Sequence, residues 1–183
     1  METDFKKEKY LGAVGSLLGL PVWGSQAIFT YIIGIFFQLV ALFKISGKIA
    51  QMKVFWFYLL SLILKILVIV GGLLSLYFIL GKTLFIYSLT QGFSFEFVSP
   101  KNKYQFLALA FVLWLLLFLS CFFYFLAFKE IGQKTQIKYF KTGATISLFA
   151  GIFYFTILGG IFLDLLAQCL IIVGFFLLPE RSV

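Results

Sequence analysis

The chain has 183 residues, 62% of them hydrophobic and 12% charged, with a net charge of +8 and a mean hydropathy of +1.08. Soluble domains run about 45–50% apolar and about 25% charged, and a domain this small exposes too much of its surface to hide such an excess from water. Composition therefore excludes an ordinary soluble fold and makes lipid the fitting solvent. The positive charge is carried by lysines between apolar runs, as cytoplasmic loops carry them, so nucleic acid is not an expected partner.

Four stretches are nearly free of charge: 10–43 and 104–128 have none, 54–80 has only Lys65 and 142–178 has only Asp164. A spanning helix needs about 20 apolar residues. The two middle stretches each fit one helix. The outer two are too long for one, and each has a breaker near its middle, Pro21-Val22-Trp23-Gly24 and Gly159-Gly160. Each outer stretch is therefore read as a tight helical hairpin. The expected fold is all-α, a polytopic transmembrane bundle forming one integral membrane domain over 1–183, with helical segments at 8–22, 25–44, 54–80, 104–128, 139–158 and 161–178.

The first segment follows Lys6, Lys7 and Lys9 and superficially resembles a signal peptide, but it is expected to be retained. It is short enough to tilt, re-enter or thin the bilayer. Gly12, Gly15, Ser16 and Gly19 share one of its faces, and Gly15 to Gly19 forms a GxxxG. Small residues let helices approach closely, which serves either packing within the chain or dimerisation. In the third segment, Lys65 falls near mid-membrane, where an ammonium costs roughly 2.5–3.5 kcal/mol on insertion scales. It is either a functional charge in an ion or anion site, or a lysine satisfied by backbone carbonyls or a neighbouring subunit.

The outer loop, 81–103, is the longest polar connection. Phe93-Ser94-Phe95-Glu96-Phe97 alternates with a strand-like period and Ser99-Pro100-Lys101-Asn102 reads as a turn, so a short surface flap is expected there. In the sixth segment, Asp164 is read first as a cap in the opening helical turn, where the helix dipole favours an acid, and second as an intramembrane functional charge.

Six crossings place eleven Lys and Arg residues on one side and Lys82, Lys101 and Lys103 on the other. That bias puts both termini in the cytoplasm. The two basic loops also resemble each other: at an offset of 85, Phe43, Lys44, Gly47, Gln51, Lys53 and Phe55 match Phe128, Lys129, Gly132, Gln136, Lys138 and Phe140. Repeat units of about 25–80 and 104–158 follow. Both enter their loop from the outer side, so the repeat is parallel. Lys44, Lys48, Lys53, Lys129, Lys134 and Lys138 are candidate contacts for lipid heads or anions, although topology alone also explains lysines around a glycine turn.

The run Leu11-Gly12-Ala13-Val14-Gly15, the basic glycine-containing loop, Gly132-Gln133-Lys134-Thr135, Lys138-Tyr139-Phe140-Lys141-Thr142 and the ending from Gly174 to Glu180 together resemble a prokaryotic membrane family called domain of unknown function 996. The resemblance covers nearly the whole chain and implies a prokaryotic cell membrane. It brings no activity, cofactor or site residue with it.

Histidine is absent, and Cys121 and Cys169 stand far apart in apolar runs. No phosphate loop, HExxH, GxSxG or paired acids occur. The expected protein is therefore not an enzyme and holds no cofactor or metal. Its expected role is that of an accessory or scaffold subunit, packed among lipids with itself or with other membrane subunits. The alternative is a small transporter or channel using Lys65.

Overall fold

The computed structural model describes residues 5–20, 27–91, 103–156 and 158–179, and all regular structure in them is helical. Six α-helices follow in order: α1 (Lys6–Leu18), α2 (Ala27–Lys48), α3 (Lys53–Gln91), α4 (Lys103–Thr135), α5 (Lys138–Phe153) and α6 (Leu158–Phe176), with a 3₁₀ turn at Tyr154–Thr156. Four stretches are long and apolar enough to cross a membrane: Phe29–Lys48, Lys53–Gly81, Lys103–Lys134 and Leu158–Phe176. At 13 and 16 residues, α1 and α5 reach only about 20 and 24 Å, against a hydrocarbon core of about 30 Å. The chain is a helical polytopic membrane protein.

Several helix ends differ from the sequence expectation. α2 and α4 continue through the basic residues to Lys48 and Thr135, because lysine is a good helix former and favours the negative end of the helix dipole. The links that remain are tight, and each uses one left-handed residue, Ala50 at φ 52° and Gln136 at φ 59°. α3 does not stop at residue 80. It runs to Gln91 through a kink at Gly81, whose φ of 75° and ψ of 164° suit only glycine. Residues 82–91, expected as outer loop, are thus helical, while the expected flap at 93–97 and the turn at 99–102 lie outside the described residues, as do Pro21 to Gly24. In place of the second expected break at Gly159-Gly160, which lie inside α6, there is the 3₁₀ turn Tyr154–Thr156.

The helices form a ring in the order α2, α1, α6, α5, α4, α3, each packed closely on the next, while α3 returns to α2 through a much smaller contact. One end of the ring gathers the basic connections. The Phe5 amide donates to the Pro179 carbonyl, Lys48 pairs with Glu8 at 2.6 Å, and Lys53 pairs with Glu130 at 3.1 Å. Both ends of the described chain therefore meet where the two lysine-rich links lie.

The aromatic core sits just inside that end. Phe128 has no exposed surface, and its ring meets Tyr58, Tyr124, Phe140 and Phe175 at centroid distances of 4.6–6.2 Å. Phe175 lies over Gly12, where a Cβ would come within 2.3 Å of the ring, and Phe140 lies against Gly174. Phe128 thus ties α3, α4, α5 and α6 together, and Phe175 adds α1. Away from this end, large apolar side chains on α3 and α4 face outward, as a lipid-facing surface requires. Phe128→Ala should destabilise the protein by about 3–5 kcal/mol, the usual loss for emptying a packed phenylalanine site. Phe78→Ala, on the outward face, should leave the unfolding midpoint in mild detergent nearly unchanged.

Candidate functional site

Inside the ring, four helices turn polar residues toward one another. On α3, Tyr58, Ser61 and Lys65 follow the i, i+3, i+7 spacing of a single helical face. Tyr31 and Gln38 are seven apart on α2, Ser120 and Tyr124 four apart on α4, and Asp164 and Gln168 four apart on α6. A polar group in lipid must find its partner within the protein, and these residues largely do. The Tyr58 hydroxyl donates to the Gln38 carbonyl oxygen, and the Gln38 amide donates to Ser16 Oγ at 2.7 Å. Ser120 Oγ lies 3.1 Å from Ser61 Oγ and donates to the Ser61 carbonyl at 2.9 Å. The Tyr124 hydroxyl donates to Gln168 Oε1 at 3.3 Å, and its ring lies 5.2 Å from Lys65 Nζ. A desolvated cation over a ring is stabilised by about 2 kcal/mol, which offsets much of the cost of placing Lys65 here.

Two cavities adjoin this strip. The smaller, of about 30 Å³, lies between Gln38, Tyr58, Ser61, Lys65, Tyr124 and Gln168, with room for about one water. The larger, of about 310 Å³, is lined by Tyr31, Lys65, Tyr154, Asp164 and Gln168 among apolar residues. Lys65 borders both. Asp164 Oδ1 is buried without a hydrogen-bond partner, and among the described residues no ion pair joins it to Lys65.

The structure therefore brings Lys65 and Asp164 to the same cavity. Asp164 is not in the first turn of α6, which contains no acid. The helix begins at Leu158, through the two glycines, so Asp164 lies in the second turn and the capping role is lost. Gly160 is held against Tyr154, where a Cβ would come within 2.6 Å of the ring.

The small-residue face of α1 is occupied within the chain. A Cβ on Gly15 would come within 2.6 Å of the Gln38 backbone nitrogen, and one on Gly34 within 2.7 Å of the Gly15 carbonyl oxygen. Gly12 meets Phe175, Ser16 bonds Gln38, and Gly19 lines both cavities. The six loop lysines, Lys44, Lys48, Lys53, Lys129, Lys134 and Lys138, are exposed at the basic end and do not enter the cavity. Cys121 is buried and Cys169 exposed. No group of three or more metal-ligating side chains occurs among the described residues.

Tyr31, Tyr58, Tyr124 and Tyr154 were not singled out from the sequence. The signal within α3 was available in the Tyr58, Ser61, Lys65 spacing. The contributions of α2, α4 and α6 depend on how those helices are rotated.

Compared with known families, residues 30–169 match the one described as protein of unknown function (DUF996). No curated protein and no solved structure matches the chain.

The Gln38 amide satisfies two hydroxyls at once, so Gln38→Leu should strand both and cost about 2 kcal/mol. Adding Ser16→Ala and Tyr58→Phe to it should restore most of that loss, since removing every partner leaves nothing unpaired. Thermal unfolding of the single and triple variants in the same detergent checks this.

Proposed function

The chain belongs to the DUF996 family of membrane proteins, and from that membership and the interior geometry we propose that it is a small non-catalytic transport protein whose solute-handling site is the Lys65–Asp164 cavity. The observation that carries this is the placement of two opposite, unjoined charges on one cavity inside the bundle. Ionisable groups at membrane depth are costly, and transport paths are where proteins keep them. The polar residues around them are tyrosine and glutamine rather than a nucleophile with a base, and the chain has no histidine, which supports a role in binding without bond-breaking.

An accessory-subunit role is the second reading. It is favoured by α3 and α4, whose apolar stretches are only 11% buried within the chain and leave broad faces for another subunit. The proposed setting for either role is a prokaryotic cell membrane with both termini in the cytoplasm, supported by the gathering of the basic links and both described ends on one side of the ring. We also retain the two outer hairpins and the parallel repeat. The matched pairs Phe43–Phe55 and Phe128–Phe140 each touch across their link, at 5.3 and 5.9 Å, which supports the repeat. The packing of α2 on α3 is slighter than that of α4 on α5, so the two proposed units differ in their surroundings.

Thermal-shift screening of the purified chain against small anions, cations and zwitterions tests the transport reading. A ligand should raise the wild-type unfolding midpoint, by about 2.7 kcal/mol of stabilisation at 100 times its dissociation constant. That gain should vanish in Lys65→Met or Asp164→Asn. No response to any ligand, together with a stoichiometric membrane partner retained through mild-detergent purification, would transfer the assignment to the accessory role. Cysteines at positions 48 and 134, placed singly in a Cys121/Cys169-free background, should be labelled from the same side of sealed vesicles, the cytoplasmic one.

A further inference from the structure

Resting on the transport reading, we propose that the Lys65–Asp164 cavity and the apolar groove beside it form one site for a lipid-like amphiphile, a molecule with a zwitterionic head and a hydrocarbon tail.

The groove, of about 650 Å³, is lined by Val68, Leu107, Phe111, Leu113, Trp114 and Leu117, with Tyr154 at its edge. Val68, Leu117 and Tyr154 line the charged cavity too, so the two spaces share a wall. At about 310 Å³ the cavity is the size of a small binding site, and such sites are mostly apolar with a few placed polar groups. The groove alone is apolar space that any acyl chain would fill. What makes the combination selective is the set of unmet polar demands along it.

There are two. Lys65 lines the cavity, and Asp164, which lines it too, has a carboxylate oxygen without a donor. Opposite charges in a medium of low dielectric attract strongly, so a gap between them is stable only when polar matter fills it. A head carrying an anion and a cation meets Lys65 and Asp164 together. A head of one sign would leave the opposite protein charge unmet, and a head without a tail would leave the groove unused.

Depth gives the site its direction. Lys65 is the thirteenth residue of the 29-residue apolar stretch of α3, about 18 Å along it at 1.5 Å per residue. A lipid at rest keeps its head at the interface. A head held at mid-depth is in passage, so the site is a waypoint for moving an amphiphile between leaflets.

Native mass spectrometry of the full chain in detergent micelles tests this with four probes: lysophosphatidylethanolamine, lysophosphatidylglycerol, dodecyltrimethylammonium and tail-less phosphoethanolamine. The wild type should bind the first at least about tenfold more tightly than the other three, a difference of about 1.4 kcal/mol. Lys65→Met should lose that preference while still binding the cationic probe. Asp164→Asn should lose it while still binding the anionic one. Ala110→Phe, at a residue that lines the groove but not the charged cavity, narrows the groove and leaves both charges in place; it should weaken lysophosphatidylethanolamine and spare phosphoethanolamine, and it keeps the test open if a charge variant fails to fold. Equal binding of tailed and tail-less zwitterion, unaffected by Ala110→Phe, would overturn the amphiphile and leave a small-solute site. Indifference of every probe to both charge variants would overturn the transport reading itself.

Discussion

An ammonium group inside a membrane must be enclosed by the protein that carries it, and that demand on Lys65 organises the interior of this bundle. The enclosure is built from several helices. Tyr124 of α4 supplies a ring under the cation, Gln168 of α6 holds the Tyr124 hydroxyl, and Tyr58 and Ser61 extend the same face of α3 toward the basic end. Each polar side chain then needs its own partner, so the hydrogen bonds from Tyr58 to Gln38 and from Gln38 to Ser16 carry the requirement outward to α2 and α1. Below this strip the rings around Phe128 close the basic end with apolar contact. Interior polarity and inner-end aromatic packing are thus successive layers of one arrangement.

The backbone contact between α1 and α2 is part of the same logic. Ser16 reaches Gln38 only because Gly15 and Gly34 let the two helices meet without intervening side chains. Glycine is a poor residue for a helix interior in water, but between membrane helices its missing side chain is what permits close approach. Gly12 performs the same service for Phe175, so α1, although shorter than the hydrocarbon core is thick, is held on two sides.

How much of this could be read from the chain alone varies with the kind of feature. The helical bodies were legible because lipid tolerates few charges, so charge-free runs mark them almost directly. Helix ends were less so. The exposed lysines at 44, 48 and 134 do not stop a helix that can keep its charges at the bundle surface, and Gly159-Gly160 looked like a break although both glycines are packed inside α6. Lys65 and Asp164 were visible as isolated charges, but their meeting was not, because Asp164 had been placed one helical turn nearer the end of its helix. The tyrosines around them are common residues whose significance comes only from the rotation of four helices, and no spacing within one helix specifies that.

The uneven ring has a mechanical corollary. Five of its six sides are tightly packed, and the sixth, where α3 returns to α2, is slight. The cavities lie immediately behind that side: Tyr31 and Gln38 belong to α2, and Tyr58 and Lys65 to α3. The Tyr58–Gln38 hydrogen bond crosses this seam. Parting α2 from α3 would separate the Phe43–Phe55 rings but leave the Phe128 cluster and the glycine contacts intact, so the least tightly held side of the ring is the one between α2 and α3. Under the proposed transport role, a gate on that flank would admit a solute from the plane of the bilayer, without an aqueous pore at either end.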